Sequence, residues 1–424
     1  MLRLVSLLGI FAMLALCFAF SKDRRAISWR LVGTGLVLQA VLGLTFLYWG
    51  AGNAALRWFA GGVDGFLKLS TRGSEFVFGA LANGGDVSQV FGPGKGFLFA
   101  FMVLPTLIFF SSFMAVLYHL GVMQFLVRQM ARMMVRLLGT SGSESLSACA
   151  NVFVGQTEAP LLVKPFLSGM TKSELHAIMV GGFATIAGGV FALYVGFGVD
   201  AGHLMVGSVM AVPAGLICTK MLWPETEPSQ TMGTVAKIDA PAYGNVVEAA
   251  AAGAGDGLKL ALNVGAMLIA FLGLVEVVNW LLATPSSLFP SVFTYEHPPT
   301  VQSILGVVFW PIAAVMGVPW HEIPLLAELL GMKIAVTELV AYGKLGPMIN
   351  AHQVTPRTAM IASFALCGFA NVGSVAIQVG GLGAMAPERR GDLAKLGLRA
   401  MFGGAIATCM TACVAGVLAS EAQP

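Results

Sequence analysis

Long uncharged runs, broken at irregular intervals by short charged loops, dominate the chain. Arg30 to Arg57, Lys95 to Arg128, Arg357 to Glu388 and Arg399 to Glu421 each bracket more than twenty consecutive residues without Asp, Glu, Lys or Arg. Such runs are long enough for a helix to cross about 30 Å of hydrocarbon. Within them Leu, Ala, Phe, Met and Gly follow one another without the alternation of a membrane barrel, so the pattern predicts helices, which satisfy their own backbone in lipid. Spans are expected at Leu4 to Phe20, Leu31 to Ala51, Phe97 to Val122, Leu175 to Gly198, His203 to Leu222, Leu258 to Leu282, Arg357 to Leu382 and Leu398 to Leu418, eight crossings in all. The first reads as a retained span, because Arg3 is its only basic preface and SKDRR stands where a small-residue cleavage site belongs. Lys22, Arg24, Arg25 and Arg30 place the loop after it in the cytoplasm and the N-terminus outside.

Other stretches do not fit a plain crossing. Gly52 to Gly96 mixes Gly, Arg57, Asp64, Lys68, Arg72 and Glu75 with Leu and Phe, as helices lying on the outer surface do. Gln124 to Leu138 carries Arg128, Arg132 and Arg136 every four residues, on one helical face suited to the cytoplasmic side. Ser145 to Met170 and Pro324 to Pro347 each hold a glutamate, Glu158 or Glu338, with glycine or proline close by. A carboxylate in a bilayer costs free energy unless it faces a polar cavity, so each stretch reads as a re-entrant helical hairpin. About thirty residues after each glutamate a span is interrupted by small residues, Ala187, Gly188 and Gly189 in one case and Gly368, Asn371 and Gly373 in the other. The order hairpin, broken helix, plain helix thus occurs twice. One span separates the copies, so they are inverted, as in secondary transporters. The expected organisation is scaffold spans with interfacial helices over 1–144, a first transport repeat over 145–223, a loop, the sixth span and an interfacial segment over 224–318, and a second transport repeat over 319–424.

Composition agrees with this reading. With 57% hydrophobic residues against 11% charged and a mean hydropathy of +0.82, the chain is an integral membrane protein. Its net charge of +3 follows the membrane rather than a basic patch with interleaved aromatics, so no nucleic acid is expected as a partner. Six cysteines lie in apolar runs without CxxC or Cys/His spacing and read as small core residues, with no disulfides expected. His119, His176, His203, His297, His321 and His352 are scattered and receive no metal or catalytic role. GPGKG at Gly92 to Gly96 lacks Walker A spacing and reads as a turn. No ATPase motif appears, which leaves an ion gradient as the energy source for uphill transport.

A hairpin tip ends two short helices inside the membrane and leaves backbone groups free to hold a solute. At the first tip, GQTEAP offers Gln156 as donor and acceptor, Thr157 as a hydroxyl and Glu158 as a carboxylate, a set matched to a flat, multiply hydrogen-bonding ligand such as a nucleobase. The alternative is that Glu158 pairs with Lys164 or a neighbouring span for stability. Glu338, with Asn371 and Ser374, supplies a carboxylate, an amide and a hydroxyl suited to adjacent sugar hydroxyls; alternatively Asn371 and Ser374 patch the broken backbone. Phe369 is placed to stack on a ring or simply to pack. Asn151, Val154, Thr185 and Ile186 together could offer side-chain and carbonyl oxygens to a small hard cation. Lys333 either pairs with a carboxylate or snorkels to the interface. An intramembrane enzyme using Glu158 and Glu338 as acid and base lacks an accompanying nucleophile or metal set, so the chain reads as a non-enzyme.

At these residues the chain resembles a known family. GQTEAP, GMKIAVTELVAY, CGFANVGSVAIQVGGLG and LPTLIFFSSFMAVLYHLGVMQ are similar to signature segments of the concentrative nucleoside transporters, and the likeness covers nearly the whole chain. The resemblance implies an all-helical membrane protein with eight transmembrane helices, two re-entrant hairpins and interfacial helices, assembled as a homotrimer in which a transport domain moves against a scaffold. It implies that Gln156, Thr157 and Glu158 meet the base of a nucleoside, that Glu338, Asn371 and Ser374 meet its ribose, and that Phe369 lies beside the base. It further implies a sodium ion at Asn151, Val154, Thr185 and Ile186, with Thr185 where a serine is usual. Proton-coupled relatives depart at the asparagine, so Asn151 favours sodium. Thr337 stands where the family motif has Asn before Glu. The expectation is a sodium-coupled nucleoside symporter of a bacterial inner membrane; the alternative is a proton-coupled symporter of the same fold.

Overall fold

The computed structural model describes residues 1–92, 96, 98–235, 243–288 and 299–419. Phe97, Lys237, His297 and the centre of the Gly92 to Gly96 turn lie outside them. Among the described residues the only extended pairing is one isolated bridge between Ser141 and Met232, and everything else regular is helical.

Helices α1 (Leu2–Ala19) and α2 (Trp29–Gly43) flank the first basic loop, and α2 runs on through a π-helical turn at Leu44–Tyr48. The segment expected to lie on the surface forms α3 (Gly50–Phe78), whose Trp58, Phe76 and Val77 are exposed, and the short α4 (Gly84–Phe91). A single turn, α5 (Phe99–Met102), leads into α6 (Leu104–His119), with Pro105 in the first turn where no N–H partner is needed. Gly121 and Gly139, both in the left-handed region, bound α7 (Val122–Leu138). Its buried Met123, Val127, Ala131, Met134 and Leu138 recur every three or four residues, while Arg136 stays exposed.

The first hairpin opens with a capping box between Ser141 and Glu144 and descends as α8 (Gly142–Ala150), buried throughout. It turns over residues 151–158 and returns as a 3-10 stretch, Ala159–Gly169, where Pro165 withholds the N–H that an α-helix would need. Next, α9 (Lys172–Ala184) unwinds over residues 185–187 and resumes as α10 (Gly188–Gly196), followed by the unbroken α11 (Ala201–Leu222). After α12 (Val246–Leu288) and α13 (Val301–Ala314) the motif repeats. The second hairpin is α14 (Ile323–Ala335) and α15 (Glu338–Asn350), the broken helix is α16 (Pro356–Leu366) and α17 (Val372–Met385), and the plain one is α18 (Arg390–Leu418).

Among the described residues five helical stretches are long and apolar enough to cross a membrane unaided: α1, α2, α5 with α6, α11 and α18. The interrupted pairs α9/α10 and α16/α17, with α12, occupy the remaining expected crossings. Their break leaves each half too short to span alone, as expected of helices that meet inside a bundle.

At the centre α9, α11 and α16 pack on α18, whereas α6 lies along α12. Small residues let these backbones approach: a Cβ on Gly404 would lie 2.4 Å from that of Phe183. The two breaks touch. Gly368 has φ of +124°, and a Cβ there would lie 2.5 Å from the Phe183 carbonyl oxygen, so only glycine fits at the crossing. A strap after α11 closes one end of the first repeat: Gly142 N–H donates to Thr231 O at 2.8 Å, and Lys220 Nζ reaches Glu144 at 2.8 Å, Ser173 at 2.9 Å and Glu225 at 3.1 Å.

Candidate functional site

The hairpin tips and the helix breaks converge on one cavity of about 900 Å³, closed on its other side by α6 and α12. Gln156, Thr157, Glu158, Glu338, Phe369, Asn371 and Ser374 all line it. The seven residues come from three segments of two repeats far apart in sequence, and the inverted repeat brings them together.

In the first tip, Glu158 is exposed to this space, and no ion pair joins it to Lys164 among the described residues. Gly155 makes room for the carboxylate, since a Cβ there would lie 2.1 Å from Glu158 Oε2. Gln156 is nearly buried, and its Oε1 accepts from Gln378 Nε2 at 3.0 Å. Thr157 packs its methyl over Gly381, where a Cβ would come within 2.9 Å.

In the second tip, Thr337 caps α15 by accepting from the Val340 N–H at 3.4 Å, which sets Glu338 at the first helical position. Glu338 is buried and held on both oxygens: Tyr194 OH donates to Oε1 at 3.0 Å, and Asn371 Nδ2 donates to Oε2 at 3.1 Å. Asn371 at the same time caps α17, its Oδ1 accepting from Ser374 N–H at 2.8 Å. The two readings of Asn371 thus hold together: it mends the broken backbone with its oxygen and orients the carboxylate with its amide nitrogen. Phe369 is half-buried at the same break, its side chain on the cavity wall.

A second cluster sits behind the first tip. Asn151 is buried, its Nδ2 donates to Ser147 O at 3.0 Å, and its Oδ1 has no hydrogen-bond partner among the described residues. A buried, unpaired acceptor is costly, and a cation is a fitting occupant. Gly181 of α9 lies against the Asn151 amide, and one turn further on Thr185, buried with Ile186, donates to Gly181 O at 2.9 Å. Val154 lies at the tip, and the adjacent Phe153 carbonyl accepts from Gly188 N–H at 3.1 Å, joining tip to break. All four expected residues thus border the contact of the first tip with the first break. No group of three or more His, Cys, Asp or Glu converges among the described residues.

Among the described residues Lys333 pairs with no carboxylate, and it does not snorkel. It is buried, and its Nζ donates to Ala365 O at 2.8 Å and Thr408 Oγ1 at 2.9 Å, next to the second break. Tyr194, whose ring lies 4.4 Å from that of Tyr342, lines the cavity, and Gln378 stands behind Gln156 without lining it; the sequence reading singled out neither. The available signal was one polar side chain in the apolar run GGVFALYVG and, in VGSVAIQVGG, a second polar residue one turn beyond Ser374.

Comparison with known proteins is consistent over the full length. Models of the Na+ dependent nucleoside transporter N-terminus and C-terminus match residues 8–81 and 203–416, and a nucleoside recognition (Gate) model matches residues 100–201. The chain is 44% identical to an uncharacterized transporter of Bacillus subtilis over 97% of this chain and 98% of that one. It is 41% identical to sodium/nucleoside cotransporter 1 of Mus musculus over 98% of this chain and 64% of that one. Its fold superposes on the structure of CNTnw in an inward-facing substrate-bound state with a TM-score of 0.91 at 42% identity, covering 98% and 99% of the two chains.

Proposed function

We propose that this chain, which belongs to the Na+ dependent nucleoside transporter family, imports nucleosides by symport with sodium across a bacterial inner membrane. The observation that carries the reading is the convergence of Gln156, Thr157 and Glu158 from one repeat with Glu338, Asn371 and Ser374 from the other on a single cavity. In the reading, the first tip meets the base, Phe369 lies beside it, and Glu338 accepts from the ribose hydroxyls.

The ion has its own motive for binding. The Asn151 oxygen is buried without a partner, and Asn151, Val154, Thr185 and Ile186 would coordinate sodium through oxygens. Sodium there would partner the Asn151 oxygen and tie the first tip to the first break, so the cavity wall that meets the base becomes ordered as the ion binds. Sodium and nucleoside then favour each other, as two ligands of one conformation must. Once both are bound, the polar groups of the site have partners and the site can move past the α6/α12 pair, which carries no share of the hairpins. The homotrimer and the division into scaffold over 1–144 and 224–318 and transport repeats over 145–223 and 319–424 belong to the same proposal.

Uridine uptake into proteoliposomes under an inward sodium gradient, against an equal potassium gradient at constant pH, tests it. Accumulation above the external level with sodium alone is the expected result. Uptake driven instead by an acid exterior would overturn the coupling ion, and equilibration without accumulation would overturn symport.

A further inference from the structure

Gln378 is a polar residue on an otherwise apolar stretch of α17, 1% exposed, and the transport reading gives it no task. Its Nε2 donates to two acceptors, Met179 O of α9 at 3.1 Å and Gln156 Oε1 at 3.0 Å. A backbone carbonyl can only accept, so the atom of Gln378 that faces Met179 must be the amide nitrogen. Its second N–H then meets Gln156, and the atom of Gln156 at that contact must be oxygen. The side-chain NH2 of Gln156 is thereby left for the cavity. Without such a partner the two ends of a glutamine amide are interchangeable, and Gln156 could present either a donor or an acceptor.

Two further observations set this arrangement apart from ordinary packing. Gln378 Oε1 is buried without a hydrogen-bond partner among the described residues, a cost that a leucine at this position would not carry. Gly182 clears the crossing, since a Cβ there would lie 2.6 Å from Gln378 Nε2 and 2.8 Å from Gln156 Cβ.

We infer that Gln378 is a specificity-determining positioning residue, which locks Gln156 as a hydrogen-bond donor and so makes the first tip read an acceptor on the edge of the base. The inference rests on the reading that Gln156 meets the base. With Glu158 a fixed acceptor two residues on, the tip then carries an ordered donor–acceptor pair. The 4-position and ring nitrogen of uracil and cytosine present the reverse order of donor and acceptor to each other. A fixed tip tells them apart, whereas a tip whose glutamine can turn over does so poorly.

The test is competition of radiolabelled uridine uptake by unlabelled uridine or cytidine in proteoliposomes of the full chain, comparing wild type, Gln378→Leu, Gln156→Leu and the double variant. Leucine suits the apolar surroundings of Gln378, and sodium-driven uptake should persist. The expected result is that Gln378→Leu moves the uridine-to-cytidine ratio roughly three- to tenfold toward unity, the worth of one hydrogen bond, and adds nothing when Gln156 is already leucine. A changed ratio in Gln156→Leu with an unchanged one in Gln378→Leu would overturn the inference alone. An unchanged ratio in both would overturn the placement of the base at Gln156 as well. If Gln378→Leu fails to fold, Gly182→Ala, which crowds the same contact, is expected to move the ratio in the same direction, and no movement there counts against the inference.

Discussion

Glu338 carries the proposed ribose contact while being anchored by its own neighbours. Its oxygens are held by Tyr194 and Asn371, so a neutral isostere keeps its shape and loses its strength as an acceptor. Glu338→Gln is expected to leave the melting temperature of the purified protein nearly unchanged and to weaken uridine binding by about 1.5–3 kcal/mol, the worth of a charge-assisted hydrogen bond, or roughly ten- to a hundredfold in affinity. Calorimetric titration checks it, and wild-type affinity would remove the ribose from Glu338. Gly155→Ala acts on Glu158 without touching it. The new methyl would occupy the place of the carboxylate oxygen, which is the far end of a flexible side chain, so the fold tolerates the change while the carboxylate swings away. Uptake is expected to fall about tenfold, in line with the loss of one hydrogen bond to a charged group, at unaltered yield of folded protein. At this scale the sequence was most legible where charge was involved, because a carboxylate in apolar surroundings stands out. Tyr194 and Gln378 were missed, since one hydroxyl or amide in an apolar helix is consistent with either packing or function until its partner in the other repeat is seen.

The elements follow from local chemistry that is largely readable. Proline and glycine beside a glutamate marked both hairpins, and small residues marked both breaks. The boundaries shifted by a few residues, because the cap residues Thr337 and Asn371 decide where the following helix starts. Thr337, the departure from the family motif, keeps the cap. Thr337→Asn is therefore expected to alter stability by no more than about 0.5 kcal/mol, whereas Thr337→Val should cost about 1 kcal/mol, measured by thermal denaturation in detergent. Gly368→Ala is the severe case: the residue must adopt positive φ while its methyl meets the Phe183 carbonyl. A loss of at least about 1–3 kcal/mol is expected from the backbone alone, with uptake falling in parallel, and an unaffected variant would contradict the crossing of the breaks. The 3-10 return arm of the first hairpin was not legible, since Pro165 forbids a helix without stating what replaces it. Neither was the closure of the first repeat, where Lys220 of α11 and Glu144 of α8 lie far apart in sequence and appear there as isolated charges.

Over the whole molecule, two inverted repeats place their weakest backbone at one level, and each supplies what the other lacks. Tyr194 of the first holds the carboxylate of the second, and Gln378 of the second holds the amide of the first. A nucleoside bound between them would tie the repeats together, and a cation at Asn151 would tie the first tip to its own break. Hence the central claim that ion and substrate occupy one coupled site. Coupling is reciprocal, so the most direct measurement is the affinity of the purified protein for uridine, by calorimetry, in sodium and in choline at fixed pH and ionic strength, with Asn151→Leu alongside. The account requires uridine to bind at least about tenfold more tightly in sodium, a coupling of about 1.4 kcal/mol, and requires that advantage to vanish in Asn151→Leu. Equal affinity in both salts, or a sodium effect that survives the loss of the Asn151 oxygen, would contradict it.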